Sequence, residues 1–188
     1  MRLMEIKRAL LLLVIFLVLL TVIYPAAVTL VGTIAFPHQA SGSLIDRNGS
    51  IAVSSRIGQP FSDTRYFWPR PSATTGTPYD PSASSGSNLG PTNPLLIDEI
   101  RASAQALRDS GVEGDVPIDL VTSSGSGLDP DISLEAALVQ APRVAAARNL
   151  STSQVEQQVN KHKQGRTFGF LGTERVNVLE LNLDLDKL

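Results

Sequence analysis

From Ala9 to Phe36 the chain carries no charged side chain, and the run from Ala9 to Leu20 is wholly apolar. As a helix these 28 residues reach roughly 40 Å at about 1.5 Å per residue, more than the roughly 30 Å of bilayer hydrocarbon. One membrane crossing is available. A buried helix of a soluble protein would need a core that wraps it on every side, and the remaining sequence is too polar to build one. A cleaved signal peptide is the other alternative, because Arg2, Lys7 and Arg8 form a basic start. Such a segment has an apolar part of about 7 to 15 residues ending in small residues. This run continues beyond that length, and its best cleavage candidate, Thr33-Ile34-Ala35, lies far downstream. A retained anchor is the expectation.

Basic residues concentrate ahead of the span, and only Arg47 and Arg56 occupy the twenty or so positions after it. The positive-inside tendency then places the N-terminus in the cytoplasm. The expected plan is a basic cytoplasmic N-terminus (1–8), a transmembrane helix (9–36) and one extracytoplasmic α+β domain (37–188). Pro25, inside the span, removes a helix hydrogen bond and predicts a kink supported by a neighbouring helix. Gly32, Ala26, Ala27 and Thr29 are small enough to permit close helix contact.

A net charge of −2 gives no basic face for nucleic acid. The absence of cysteine excludes disulfides, thiolate metal sites and a cysteine nucleophile. The two histidines, His38 and His162, read as membrane-proximal and helix-surface residues rather than a metal pair.

Past the membrane, short apolar runs flank Arg47-Asn48-Gly49, a hairpin signal. Tyr66-Phe67-Trp68 and Pro69-Arg70-Pro71 predict an extended segment with its aromatics buried. Residues 74–93 are rich in Ser, Gly, Thr, Pro and Asn, and their Gly and Asn positions suit an ordered turn series. Asn93-Pro94 caps and opens a helix that places Leu96, Ile100, Ala104 and Leu107 on one face and ends at Gly111. Val116–Thr122 reads as a strand, and residues 123–130 as a glycine-rich turn into a second helix near Ser133, interrupted at Pro142 and resumed through Arg148. Ser151-Thr152-Ser153-Gln154 is a capping box for a third helix with Val155 and Val159 inward. The leucines at 179, 181, 183 and 185 alternate with polar residues and predict a closing strand, with a bulge at Val178-Leu179.

A glycine-rich turn before a helix invites phosphate. No lysine lies near it, however, and Asp129 and Asp131 bring negative charge, so a structural turn is the stronger reading. The carboxylate pairs Asp129/Asp131 and Asp98/Glu99 read as structural, the latter in the first turn of its helix where acids meet the macrodipole. Gln140, Arg143 and Arg148 lie on one helix, and Arg143 is expected to pair with a neighbouring acid.

Five blocks in order carry a family resemblance: Tyr66-Phe67 with Arg70-Pro71-Ser72-Ala73; Ser87 through Pro94; Asp119-Leu120-Val121-Thr122 with Ser124 through Pro130; Gln140 with Arg143-Val144-Ala145; and Val176-Asn177-Val178-Leu179. Together they resemble the C subunit of the Kdp potassium-transporting ATPase over nearly the whole chain. The resemblance implies a non-catalytic accessory subunit of a bacterial inner-membrane complex that imports potassium at the expense of ATP. The implied partners are a potassium-conducting subunit, a P-type ATPase subunit, a small single-helix subunit and membrane lipid, with no nucleic acid. No Asp-Lys-Thr-Gly-Thr sequence is present, and the one Asp-Lys pair is Asp186-Lys187. The family is described as a catalytic chaperone that raises the ATPase subunit's affinity for ATP. That role implies nucleotide contact at Gln140, with Ser126 and Gly127 on the adjoining turn. Arg70, Ser87, Asn88, Gly90, Asn93, Asp129 and Arg143 are the implied structural or partner-facing motif residues. The charge-based orientation puts Gln140 outside the cell, away from cytoplasmic ATP. The alternative is an extracytoplasmic cap over the ion entrance, without nucleotide contact; a third possibility is an anchored hydrolase.

Overall fold

A computed structural model of the chain describes residues 2–47 and 50–188. It divides into two compact units, Met1–Ser54 and Ser55–Leu188. The first begins with α1 (Arg2–Val18), a π-helical turn (Leu19–Ile23) and α2 (Tyr24–Ala35). Leu3–Ala35 is thus a helix of 33 residues, long and apolar enough to cross a membrane, with none of its most apolar stretch buried. At Pro25, where the sequence predicts a kink, the helix widens just ahead of the ring: the Tyr24 N–H donates to the Leu19 carbonyl, five residues back. This relieves the collision between a proline ring and the carbonyl four residues earlier. Thr21 Oγ1 donates to the Leu17 carbonyl at 2.6 Å, one turn back along the same helix. After Phe36 comes one short helix, α3 (Pro37–Ala40). Strands β1 (Leu44–Arg47) and β2 (Ser50–Ser54) pair antiparallel, with a bulge between Ile45 and Asp46. The expected Asn48-Gly49 turn lies outside the described residues.

The second unit is built around one core. Helix α4 (Pro94–Asp109) starts where expected, with Asn93 Oδ1 accepting from the Leu95 N–H at 3.0 Å. Leu107 is buried, and Ile100 and Ala104 pack on the same core. Asp98 and Glu99 are the fifth and sixth residues of α4, not its first turn, so the macrodipole does not account for them. Asp98 instead pairs with Arg101 on the surface.

Three sequence expectations are corrected. Val116–Thr122 is not a strand: Ile118–Leu120 forms a 3₁₀ turn after Pro117. Leu120 and Val121, at the end of this turn, are both buried in the core. The Asp119 carboxylate ties this turn to the Ser133 N–H at 2.6 Å.

Helix α5 (Leu134–Arg148), capped by Ser133 and preceded by strand β3 (Asp131–Ser133), runs unbroken through Pro142. Proline costs this helix a hydrogen bond, but Ala136, Ala137, Ala141, Val144 and Ala145 are almost completely buried, and that packing holds the helix together. α5 ends at Asn149 in the left-handed conformation, with the Leu150 N–H returning to the Ala145 carbonyl at 2.9 Å. Helix α6 (Thr152–His162) opens on the expected capping box and buries Val155 and Val159.

Strands β4 (Lys163–Gln164) and β5 (Arg175–Asn177) complete a three-stranded antiparallel sheet in the order β3-β5-β4. The closing leucine run is a helix, α7 (Val178–Leu185), rather than a bulged strand. Its buried residues Val178, Leu181, Asn182 and Leu185 follow helical spacing, and Asn177 Oδ1 caps it by accepting from the Glu180 N–H at 3.0 Å.

Candidate functional site

The extended segment around residues 64–72 lacks a strand partner, so its buried backbone must find hydrogen bonds elsewhere. Side-chain amides supply them. Asn182 of α7 brackets Phe67: Oδ1 accepts from its N–H at 2.9 Å and Nδ2 donates to its carbonyl at 3.0 Å. Gln140 of α5 does the same for Trp68, accepting at Oε1 from its N–H at 2.8 Å and donating from Nε2 to its carbonyl at 3.1 Å. Successive residues of an extended chain direct their polar groups to opposite sides, and one amide meets each side.

Gln140 is completely buried. Its second Nε2 hydrogen goes to the Ala136 carbonyl at 3.1 Å, and Oε1 also accepts from Arg143 Nη2 at 2.8 Å. An amide side chain has two donors and two lone pairs, and all four are in use.

Arg143, expected to pair with an acid, instead donates from Nη1 to the Thr64 carbonyl at 2.7 Å and from Nη2 to the Tyr66 carbonyl at 3.0 Å. Its guanidinium lies 4.8 Å from the centroid of the Trp68 ring, a cation–π distance. Burial pushes its pKa down to about 10, against the opposing pull of Asp63, and it stays protonated at neutral pH. Arg148 extends the clamp: Nε donates to the Arg65 carbonyl at 2.6 Å, Nη1 to the Leu185 carbonyl at 2.8 Å, and Nη2 pairs with Asp186 at 2.9 Å.

Arg70 anchors the other end of the segment. It donates to the carbonyls of Thr122 and Ser123 at 3.4 and 3.2 Å and pairs with Asp129 at 3.3 Å, holding the glycine-rich turn. Asp129 Oδ1 accepts from the Asp131 N–H at 3.0 Å. Burial, then the neighbouring Asp129, raise the Asp131 carboxyl, and its 2.9 Å pairing with Arg175 opposes them.

Ser72 Oγ donates to the Gly127 carbonyl at 2.7 Å. Gly127 has φ +66, and a Cβ there would fall 2.6 Å from the Ser85 carbonyl oxygen, so only glycine fits. Its N–H already donates to Ser124 Oγ at 3.0 Å. The Ser126 carbonyl receives the Ser85 N–H and Ser84 Oγ, both at 3.0 Å, while Ser126 Oγ accepts from the Leu128 N–H. Residues 74–93 are accordingly an ordered loop tied to the turn.

The structure joins Gln140 with Arg143 in one cluster, and Arg70 and Asp129 with Ser126 and Gly127 in another. Ser87, Asn88, Gly90 and Asn93 form the entry to α4: Asn88, at φ +53, donates to the Gly86 carbonyl, and the Gly90 carbonyl accepts from the Asn93 N–H. Asn182 and Arg148 are absent from the expected site residues, and Asn182 carries no signal while the leucine run reads as a strand, because that reading turns it to solvent. Among the described residues no group of three or more His, Asp or Glu is placed to hold a metal ion.

Comparison with known proteins identifies the group to which this arrangement belongs. A family model described as "KdpC: K+-transporting ATPase, c chain" matches residues 6–187. A Methylococcus capsulatus protein named potassium-transporting ATPase KdpC subunit is 56% identical over 184 residues, covering 97% of each chain. The protein of the same name from Geotalea uraniireducens is 52% identical over 185 residues and 98% of each chain. That of Burkholderia cenocepacia is 54% identical over 165 residues, 87% of this chain and 86% of its own. The chain belongs to the KdpC family, the c chain of K+-transporting ATPases.

Proposed function

We propose that this chain is a non-catalytic accessory subunit of an ATP-driven potassium import complex, anchored by its apolar helix in the bacterial inner membrane. In this reading the potassium-conducting and ATPase subunits, a small single-helix subunit and lipid are its partners. Residues 37–188 lie outside the cytoplasm and act as a structural cap at the ion entrance. The supporting observation is the state of Gln140: it is fully buried, with its whole hydrogen-bonding capacity spent on Trp68, Ala136 and Arg143. Direct ATP contact at Gln140 would break those bonds in a place where an unsatisfied polar group costs about 1–3 kcal/mol. The loop amide of Gly127 is similarly engaged. Between residues 55 and 188 there are 16 acidic and 12 basic side chains, a balance that favours cations near a potassium entrance.

Gln140→Ala separates this reading from the catalytic-chaperone role. In the assembled complex the cap reading predicts less co-purified subunit and, for complexes that do assemble, a KM for ATP within twofold of the unsubstituted value. Normal assembly with a severalfold higher KM for ATP would establish the nucleotide role instead.

A further inference from the structure

Strands β4 and β5 are joined by residues 165–174, and the tip of this hairpin carries Arg166-Thr167-Phe168-Gly169-Phe170-Leu171-Gly172. Phe168 is 84% exposed, Phe170 69% and Leu171 50%. Elsewhere between 55 and 188 the large apolar side chains left in solvent are Leu95, Ile97, Ile118 and Leu188, none of them aromatic.

The tip is nonetheless held in a fixed shape. Thr167 and Leu171 exchange both backbone hydrogen bonds at 2.9 Å, and the N–H groups of Gly169 and Phe170 return to the Arg166 and Thr167 carbonyls. Phe168 sits at φ +54, a conformation unfavourable for a bulky aromatic residue. Strain of this kind, kept at a residue left almost wholly in solvent, points to a contact made outside the chain. At the base, Lys163 pairs with Glu174 at 3.2 Å and Arg175 with Asp131 at 2.9 Å, giving an apolar tip with a polar rim.

We infer that Phe168, Phe170 and Leu171 form a preorganised plug that docks into an uncharged apolar recess on another protein subunit of the same transport complex. The inference rests on the accessory-subunit reading. Rigid aromatic anchors surrounded by charge are the usual composition of a binding hot spot, and a tip whose backbone bonds are internally made loses little on desolvation. The fixed geometry of the tip argues for a shaped protein recess over a lipid surface, because a fluid bilayer selects no single arrangement of the rings and gains nothing from the internal hydrogen bonds and the left-handed Phe168 that hold them.

The test co-expresses the tagged full chain with the other subunits and quantifies them after purification. The double variant Phe168→Ser/Phe170→Ser is expected to bring down at least tenfold less partner, with unchanged membrane level and Trp68 fluorescence. Undiminished co-purification overturns the plug, whereas absence of partners with the unsubstituted chain counts against the accessory-subunit reading itself. Phe168→Cys, in this cysteine-free chain, carries a photo-crosslinker in the assembled complex. A crosslink to an identified partner subunit supports the plug; crosslinking to phospholipid alone overturns it.

Discussion

Two amide side chains, Gln140 and Asn182, do for the segment at 67–68 what neighbouring strands do in a sheet. The aromatics then have a reason to be where they are: Phe67 can enter the core because its own backbone is satisfied. Asn182→Ala would leave a buried N–H and a buried carbonyl without partners, for an expected loss of about 3 kcal/mol. Urea unfolding of the full chain in detergent, followed through its single tryptophan, measures it. A change below about 1 kcal/mol would show that the clamp is dispensable. Gln140 and Arg143 were legible only through the family motif. Asn182 was not, because a strand reading of the leucine run puts it on the solvent face.

Among the elements, those with local signals were readable: the uncharged span, the Asn93-Pro94 start of α4, the Ser151 capping box of α6. The failures share a cause, since each element obeys tertiary packing rather than its local pattern. Leucines at 179, 181, 183 and 185 alternate as a strand would, yet Val178, Leu181 and Leu185 also recur at helical spacing, and the core selects the helix. Pro142 should break α5, but five small apolar side chains buried on either side of it keep the axis continuous. Strands of two or three residues, such as β4, leave too little pattern to detect. Asn177 carries the start of α7 and also donates to the Ser55 carbonyl at 2.8 Å. Asn177→Ala therefore costs the cap, about 1 kcal/mol, together with a buried bond of similar size. Urea unfolding should show a loss of about 2 kcal/mol, and a loss of a few tenths would mean that α7 needs no cap.

At the scale of the molecule, acid should weaken the domain through Asp184, where Lys187, Lys161 and His162 converge on one carboxylate of α7. Hydrogen bonds from Lys187 first, then Lys161, lower its pKa below the ordinary 3.8. A depressed carboxylate contributes stability above its unfolded pKa and loses it as the pH falls toward the folded one. Asp184→Asn should therefore be less stable than the parent at pH 7, with the gap closing progressively below about pH 4. A gap independent of pH would assign the effect to packing.

The larger claim concerns which side of the membrane this domain occupies, since a cap over an ion entrance and a cytoplasmic nucleotide contact need opposite sides. Gln157, exposed on α6, is a suitable place for one cysteine in a chain that has none. Intact cells expressing Gln157→Cys are treated with a membrane-impermeant thiol reagent and compared with lysed cells. Labelling in intact cells is the predicted result; protection in intact cells with labelling after lysis would contradict the extracytoplasmic cap.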